Sequence, residues 1–180
     1  GTFGRLPKRS VDFGGGLERI AAASINTPDI FKIDVFDWVR TKLEEFSGKK
    51  YGENPEISHV FRILFDHMRA VLFMMADNVR PSNTEQGYLL RRLLRRSTFL
   101  VRKLRPDESQ GFIALGWMIH GFINAYKDQY PEVNHEEEFD KIITEEESKF
   151  RATLAHGMRE LERILEGRPK NNFGNFSPII

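Results

Sequence analysis

Apolar residues recur at helical spacing over most of this 180-residue chain, and that periodicity is the strongest constraint on its fold. Phe36, Val39, Leu43 and Phe46 repeat every three or four residues between Asp34 and Gly48. The other segments with this spacing cover residues 56–77, 84–104, 110–128 and 135–166. Since short polar or glycine- and proline-containing stretches separate them, we expect a helical, bundle-like domain.

The first residues follow a different pattern. Residues 1–16 are rich in glycine and basic side chains, with one short strand candidate around Ser10 to Phe13. Three glycines follow at 14–16, and a helical pattern starts at Leu17. The predicted fold class is therefore mainly α, a helical bundle-like domain preceded by a short strand–glycine turn–helix element.

Composition narrows the chemistry. The chain has 40% hydrophobic and 29% charged residues, as ordinary globular proteins do, and no cysteine, so disulfides, zinc-thiolate sites and cysteine nucleophiles are excluded. The longest apolar run, Val71 to Ala76, is far shorter than a membrane span. We expect a cytoplasmic protein with no membrane partner. An opening Gly1 in place of methionine suggests a processed or excised piece, or a natural split subunit.

The near-zero net charge of +1 hides two oppositely charged segments. Residues 80–105 hold eight basic side chains and one acid, whereas residues 132–147 hold eight acids and one lysine. Because the positive charge is concentrated, residues 80–105 are the candidate surface for a polyanion.

The helix predicted at 84–104 has two faces. At about 100° per residue its basic side chains share an arc of roughly 140°, with Phe99 in the middle. The basic set is Arg91, Arg92, Arg95, Arg96, Arg102 and Lys103, and the opposite, predicted buried set is Leu89, Leu90, Leu93, Leu94, Leu100, Val101 and Leu104. Almost no acids are interleaved, so like charges repel. This favours nucleic-acid or phosphate binding over a solvated basic face.

Other signals are weaker. Glycines between a strand and a helix suit a phosphate, and Arg19 lies one turn into that helix, but on these grounds alone a glycine turn with a surface arginine is favoured. Residues 66–69 (DHMR) favour a hydrogen-bonded structural network over catalysis. Glutamates 136–138 and 145–147 favour a solvated helix face, and no spacing indicates a metal site. Ser82 or Asn83 is the predicted N-cap of the basic helix.

Taken together, these segments resemble the alanine–tRNA ligase family of class II synthetases along almost the whole chain. The resemblance is carried by residues 6–22 (LPKRSVDFGGGLERIAA), 66–69, 76–83 (ADNVRPSN) and 87–96 (GYLLRRLLRR). Residues 6–22 look like the third class II motif. The glycine-rich motif alone is weak evidence, but its combination with the arginine-rich block is specific.

The resemblance implies roles. Arg19 would be a catalytic residue that holds the phosphates of ATP, a substrate brought with Mg²⁺. Gly14 and Gly16 would let the adenylate approach the backbone, and Asp12 would face the amino group of alanine. The side chains implied to bind the acceptor stem of alanine tRNA, including its G·U pair, are Asn83, Arg91, Arg92, Arg95 and Arg96.

The implied organisation has three parts: residues 1–25 as the end of the aminoacylation domain, 26–170 as the helical tRNA-recognition domain, and 171–180 as a linker. The first two class II motifs and the partner aspartate for the G·U pair are not found, so the chain alone is expected to be inactive and to need the remaining synthetase domains. The alternatives are a stand-alone helical RNA-binding module without catalysis and a helical DNA-binding regulator, which would leave the glycine element unexplained.

Overall fold

A computed structural model describes residue 4 and residues 14–105 and 111–166 of the chain. Within these ranges every regular element is helical, which confirms the mainly α prediction. The strand candidate at 10–13 and the linker at 171–180 lie outside the described residues. The chain divides into two compact units, Gly1–Asp34 and Val35–Ile180. The predicted boundary between residues 25 and 26 stays a prediction.

The first unit contains one short helix, α1 (Leu17–Ser24), and a 3-10 turn at Ile30–Lys32. Gly16 occupies the N-cap of α1, and its carbonyl accepts hydrogen bonds from Arg19 N and Ile20 N, both at 3.1 Å. The Asp29 carboxylate caps the 3-10 turn by accepting from Phe31 N at 3.1 Å. Local hydrogen bonds thus define both the start of α1 and the start of the 3-10 turn that follows it.

The second unit is a bundle of five helices. They are α2 (Asp37–Ser47), α3 (Pro55–Ala76), α4 (Glu85–Leu104), α5 (Gly111–Tyr126) and α6 (Glu136–Glu166). α3 packs against α4 and α5, and α6 packs against both α4 and α5. The predicted helices are thus confirmed within a few residues, except that Asp34 starts a 3-10 turn and α2 begins only at Asp37.

The helix ends follow local chemistry. Pro55 opens α3, and the Asn54 side chain accepts from Glu56 N at 2.8 Å and Ile57 N at 3.2 Å. Gly48 closes α2 with a φ of 67°, a left-handed conformation that favours glycine. Such caps satisfy backbone groups that would otherwise lose their partners at the helix ends.

Aromatic side chains fill the centre of the bundle. Phe36, Phe61, Phe65, Phe122 and Phe139 are all buried, with Phe36 contacting both Phe65 and Phe122 at ring distances of 5.7 and 5.9 Å. Of the phenylalanines and methionines of α3, Phe61, Phe65, Met68 and Met75 are buried in this core, whereas Phe73 and Met74 are half-buried. Among the described helices, none has a run of apolar residues sufficient to cross a bilayer.

Candidate nucleic-acid interface

A tight turn leads into the basic helix α4. Ser82 N donates to Gly87 O at 3.0 Å, and Ser82 Oγ accepts from Thr84 N at 3.3 Å and donates to Thr84 O at 2.9 Å. The turn presses so closely on α4 that a Cβ at Gly87 would collide with Arg80 O. Glycine at 87 therefore makes room for the turn that carries Asn83.

The N-cap prediction was wrong. Thr84 occupies the N-cap of α4, and its side chain makes no capping hydrogen bond. Asn83 is exposed, and its side-chain carbonyl accepts a hydrogen bond from Arg91 Nη1. Spacing alone could not reveal this pair, because the turn must first fold back to place Asn83 beside the second helical turn.

The buried face of α4 is rotated relative to the prediction. Its buried residues are Gly87, Leu90, Leu94, Ser97, Thr98, Leu100, Val101 and Leu104. Leu89, predicted to be buried, is 48% exposed, and Leu93 is half-buried. The reason is that α4 contacts α3, α5 and α6 together, so the side facing α6 is covered as well. The buried Thr98 satisfies its hydroxyl by donating to Leu94 O at 3.0 Å.

Two of the four predicted arginines are tied to an acid from another helix. Arg95 donates from Nε to Glu146 Oε1 at 2.7 Å, and its Nη2 lies 2.7 Å from the same oxygen. Arg91 Nε lies 3.4 Å from that oxygen, which makes a weaker ion pair. The Arg95 guanidinium also lies over the Phe150 ring, 5.5 Å from its centroid. The expectation that the basic helix lacks balancing acids is thus wrong for this pair, since Glu146 is 51 residues away from Arg95 in sequence.

Arg92 and Arg96 are different. Both are exposed, and neither forms an ion pair with a residue in the described part of the chain. Arg96 carries its charge near His67 of α3. These two guanidinium groups keep their donors available for an external anion.

An open groove runs along this surface between α4 and α6. It has a volume of about 390 Å³ and is lined by Tyr88, Arg91, Arg92, Arg95, Arg96, Phe99 and Phe150. Tyr88 is 51% and Phe99 55% exposed. The predicted projection of Phe99 from the middle of the basic arc is confirmed. Aromatic faces between cationic groups suit a nucleic acid, which offers both phosphates and rings.

The acidic segment of α6 is only partly solvated, contrary to expectation. Glu146 and Glu147 are both buried, and burial raises the pKa of the Glu147 carboxyl while Arg151, at 3.5 Å, opposes the rise. Glu138 forms an ion pair with Arg80. Part of the acidic segment therefore neutralises part of the basic segment, at the surface through Glu138 and in a buried position through Glu146.

Within the 66–69 cluster, the described structure places His67 outside any hydrogen-bonded network. Met68 is buried in the core, and Arg69 lies over the Phe36 ring at 5.4 Å. Both ring nitrogens of His67 are buried and have no hydrogen-bond partner in the described structure. Burial, followed by the positive charge of Arg96, lowers the pKa of His67, while Asp66 opposes this. The lowered pKa favours the neutral form of the His67 ring.

The predicted ATP-binding residues belong to the first unit. Arg19 is exposed on α1, and its Cδ lies 3.3 Å from the position of a Cβ on Gly16. Gly14 is exposed, with open space where a Cβ would project. Asp12 lies outside the described residues. Across the described ranges, no three His, Asp or Glu side chains cluster as metal ligands would.

Comparisons with known proteins agree with this arrangement. The model of the family "tRNA synthetases class II (A)" matches residues 1–174. The chain is 37% identical to an alanine–tRNA ligase of Pediococcus pentosaceus over 92% of its own length and 18% of that protein's. It is also 37% identical to one of Caldicellulosiruptor saccharolyticus, and 36% identical to one of Listeria welshimeri, with 95% and 96% of this chain covered.

The chain spans about a fifth of the length of these curated relatives. The match nevertheless runs through both units, from the glycine turn to α6. On this evidence the chain belongs to the class II (A) tRNA synthetase family, in a segment similar to the alanine–tRNA ligases.

Proposed function

We propose that this chain is part of an alanine–tRNA ligase, and that the α4 surface binds the acceptor stem of alanine tRNA. The observation that carries the proposal is the pair of exposed guanidinium groups, Arg92 and Arg96, beside a groove that also contains exposed Tyr88 and Phe99. A stem offers phosphates to the arginines at close spacing, and such contacts dominate nucleic-acid affinity.

Asn83 supplies the element that can read a base. It stands at the start of α4, exposed, with one end of its amide directed to Arg91. An amide both donates and accepts, so it can distinguish base edges where an arginine senses mostly charge. In an A-form stem the shallow minor groove is the accessible one, and a G·U wobble leaves the guanine 2-amino group free there. We assign Asn83 the reading of that pair.

The first unit, Gly1–Asp34, would take part in binding ATP and alanine. Arg19, with Gly14, Gly16 and Asp12, would contribute the third class II motif to an ATP- and alanine-binding site whose other groups come from the remaining synthetase domains. Arg19 is exposed, as a phosphate-binding arginine must be. ATP would enter with Mg²⁺, whose ligands would come from those remaining domains. The cytoplasmic location expected from the sequence stays a prediction.

Binding of a short RNA tests the main proposal. The affinity of the chain for an alanine acceptor-stem minihelix is measured by fluorescence anisotropy at several salt concentrations. Replacing both Arg92 and Arg96 by Ala should weaken binding and reduce the log–log salt slope by about 0.7–0.9 for each phosphate that the variant no longer binds. The control removes two charges elsewhere, with Lys127→Ala and Arg163→Ala, both in exposed side chains. If both double variants weaken binding equally, the chain attracts the RNA only through its overall charge, and the α4 surface is not a specific binding site.

A stand-alone RNA-binding module is the remaining alternative. The discriminating measurement is ATP binding by residues of the first unit, since a pure binding module has no need of a nucleotide element. Arg19 is the residue to replace, with adenylate formation as the activity measured.

A further inference from the structure

Three consecutive glutamates of α6 have three different environments. The Glu145 side chain is 54% exposed and lies 3.9 Å from Lys149. The Glu147 side chain is 1% exposed and faces Arg151 of its own helix. The Glu146 side chain is 4% exposed and contacts two arginines of α4. Neighbouring residues of equal charge therefore offer matched comparisons for the one that reaches the basic surface.

We propose that Glu146 is a positioning residue of the RNA interface. It holds Arg95 and Arg91 on α4 and, through Arg91, orients the amide of Asn83. This inference rests on the proposed function, because it explains how the same surface is prepared for its ligand.

The Arg95 contacts fix a plane. A guanidinium is flat, with its donors in a rigid fork, so fixing one edge and one face determines where the remaining donors point. Nε and Nη2 of Arg95 both lie 2.7 Å from Glu146 Oε1, which fixes the edge. The Phe150 ring, 5.5 Å away, fixes the face. The Nη1 donors are not engaged by Glu146 in these contacts, and they belong to a side chain that lines the groove.

Arg91 extends the arrangement to Asn83. Its Nε lies 3.4 Å from Glu146 Oε1, and its Nη1 donates to Asn83 Oδ1. This bond directs the carbonyl end of the amide to Arg91 and turns the NH₂ end away. A side chain held in this way loses less conformational entropy when RNA binds. The series from Glu146 through Arg91 to Asn83 thus joins a buried carboxylate to the residue that would read the base.

Simple electrostatics opposes the presence of a carboxylate here. A negative charge within a surface that binds a polyanion lowers the local potential, and a buried ion pair is in itself weak evidence for stability. The charge effect and the positioning effect therefore predict opposite changes in RNA affinity when Glu146 loses its charge. If charge alone matters, RNA affinity rises; if Glu146 positions the arginines, affinity falls although the protein becomes more positive.

The test compares Glu146→Gln with Glu145→Gln, because each change removes one negative charge and the two positions are adjacent in the chain. Binding to the alanine acceptor-stem minihelix is measured by fluorescence anisotropy. Glu145→Gln should bind as tightly as the unmodified chain or slightly tighter. Glu146→Gln should bind on the order of tenfold more weakly, since the RNA must now order two rotamer-rich side chains. Affinity of Glu146→Gln equal to or above that of the unmodified chain would overturn the proposal.

A second measurement does not depend on RNA. In the unmodified chain the Nε hydrogen of Arg95 is held by Glu146, so its NMR signal should exchange slowly with water. Glu146→Gln should speed this exchange, and Glu145→Gln should leave it unchanged. If Glu146→Gln does not fold by circular dichroism, Glu146→Asp takes its place, with intermediate exchange expected. If the Arg95 Nε hydrogen exchanges at an unchanged rate in the folded variant, the positioning role of Glu146 is wrong.

The two measurements also separate this inference from the proposed function. If the unmodified chain fails to bind the minihelix while the Arg95 signal responds to Glu146→Gln, the RNA proposal fails and the arginine positioning stands. If the chain binds RNA but neither measurement responds, the RNA proposal stands and the positioning role is wrong.

Discussion

Ser82 and Gly87 are in direct contact across the turn before α4, where Ser82 N donates to Gly87 O at 3.0 Å. The approach is so close that a Cβ on Gly87 would collide with Ser82 Oγ. A side chain at 87 must therefore displace the turn that carries Asn83. This contact connects one glycine of the helix to the placement of the residue proposed to read the acceptor stem.

We expect Gly87→Ala to destabilise the protein. Alanine in an open helical site stabilises by about 1 kcal/mol, but overpacking here should cost about 1–3 kcal/mol. Gly157→Ala is the matched control, because nothing lies within 4 Å of its Cβ position in α6. Urea unfolding should show opposite signs for the two variants, and minihelix affinity should fall for Gly87→Ala alone. Stabilisation by Gly87→Ala would mean that the turn is not pressed against α4.

Asn83→Ala should change base selectivity with little effect on stability. A G·U minihelix should lose about 1–3 kcal/mol of binding energy, by analogy with base-edge contacts in DNA, whereas a G·C minihelix should hardly change. Because Thr84 is the N-cap, the free energy of unfolding should change by less than the roughly 1 kcal/mol that removal of a cap costs. Equal weakening on both stems, with a lower melting temperature, would reduce Asn83 to a structural residue.

Arg19→Ala should damage adenylate formation in a full-length enzyme of this family that carries this segment. Each charge-assisted hydrogen bond to phosphate is worth on the order of 1.5–3 kcal/mol, which corresponds to about 10–150-fold in rate. Alanine-dependent ATP–pyrophosphate exchange measures this step, with exposed Lys32→Ala as the control and minihelix affinity expected to remain normal. Unchanged exchange would make Arg19 an ordinary surface residue.

Glu147→Gln should stabilise the protein at neutral pH. Burial raises the pKa of Glu147, so the folded state binds a proton more readily than the unfolded state, and stability falls as the pH rises from the ordinary glutamate range through the folded pKa. Glutamine removes that destabilisation. Thermal unfolding at pH 7 and near pH 4 should show a gain that disappears in acid, with exposed Glu145→Gln as the control. A lower melting temperature at pH 7 would indicate that the Arg151 pair outweighs desolvation.

Arg96→Ala should raise the pKa of His67. Burial is the main cause of the lowered pKa, and the Arg96 charge is the second, so its removal makes protonation easier. In the unmodified chain, as the pH falls below about 6.5, the unfolded state gains the proton first and stability decreases. An NMR titration of the His67 ring proton measures the shift, with Arg92→Ala as the control. If the pKa of His67 changes in Arg92→Ala but not in Arg96→Ala, the position of Arg96 beside α3 is contradicted.

The helices and much of the core could be predicted from sequence because their causes are local. The spacing of Leu90, Leu94 and Val101 produces one apolar face wherever α4 stands, and Asn54-Pro55 starts a helix through its own hydrogen bonds. The exposure of Phe99 between arginines follows from the same periodicity. The family resemblance rests likewise on linear order, in residues 6–22 and 76–96.

Only the tertiary structure determined which charged and polar side chains contact each other. Glu146 joins Arg91 and Arg95, Asn83 turns to Arg91, and the buried stripe of α4 rotates from Leu89 toward Ser97 and Thr98. The Glu146 contacts depend on α6 packing against α4, a contact between segments some fifty residues apart that no helical period encodes. The Asn83 contact depends on the turn before α4. The sequence determined a basic helix; the packing of α6 decided that Arg91 and Arg95 are held in place while Arg92 and Arg96 remain available, because a buried carboxylate must be satisfied by the nearest cations.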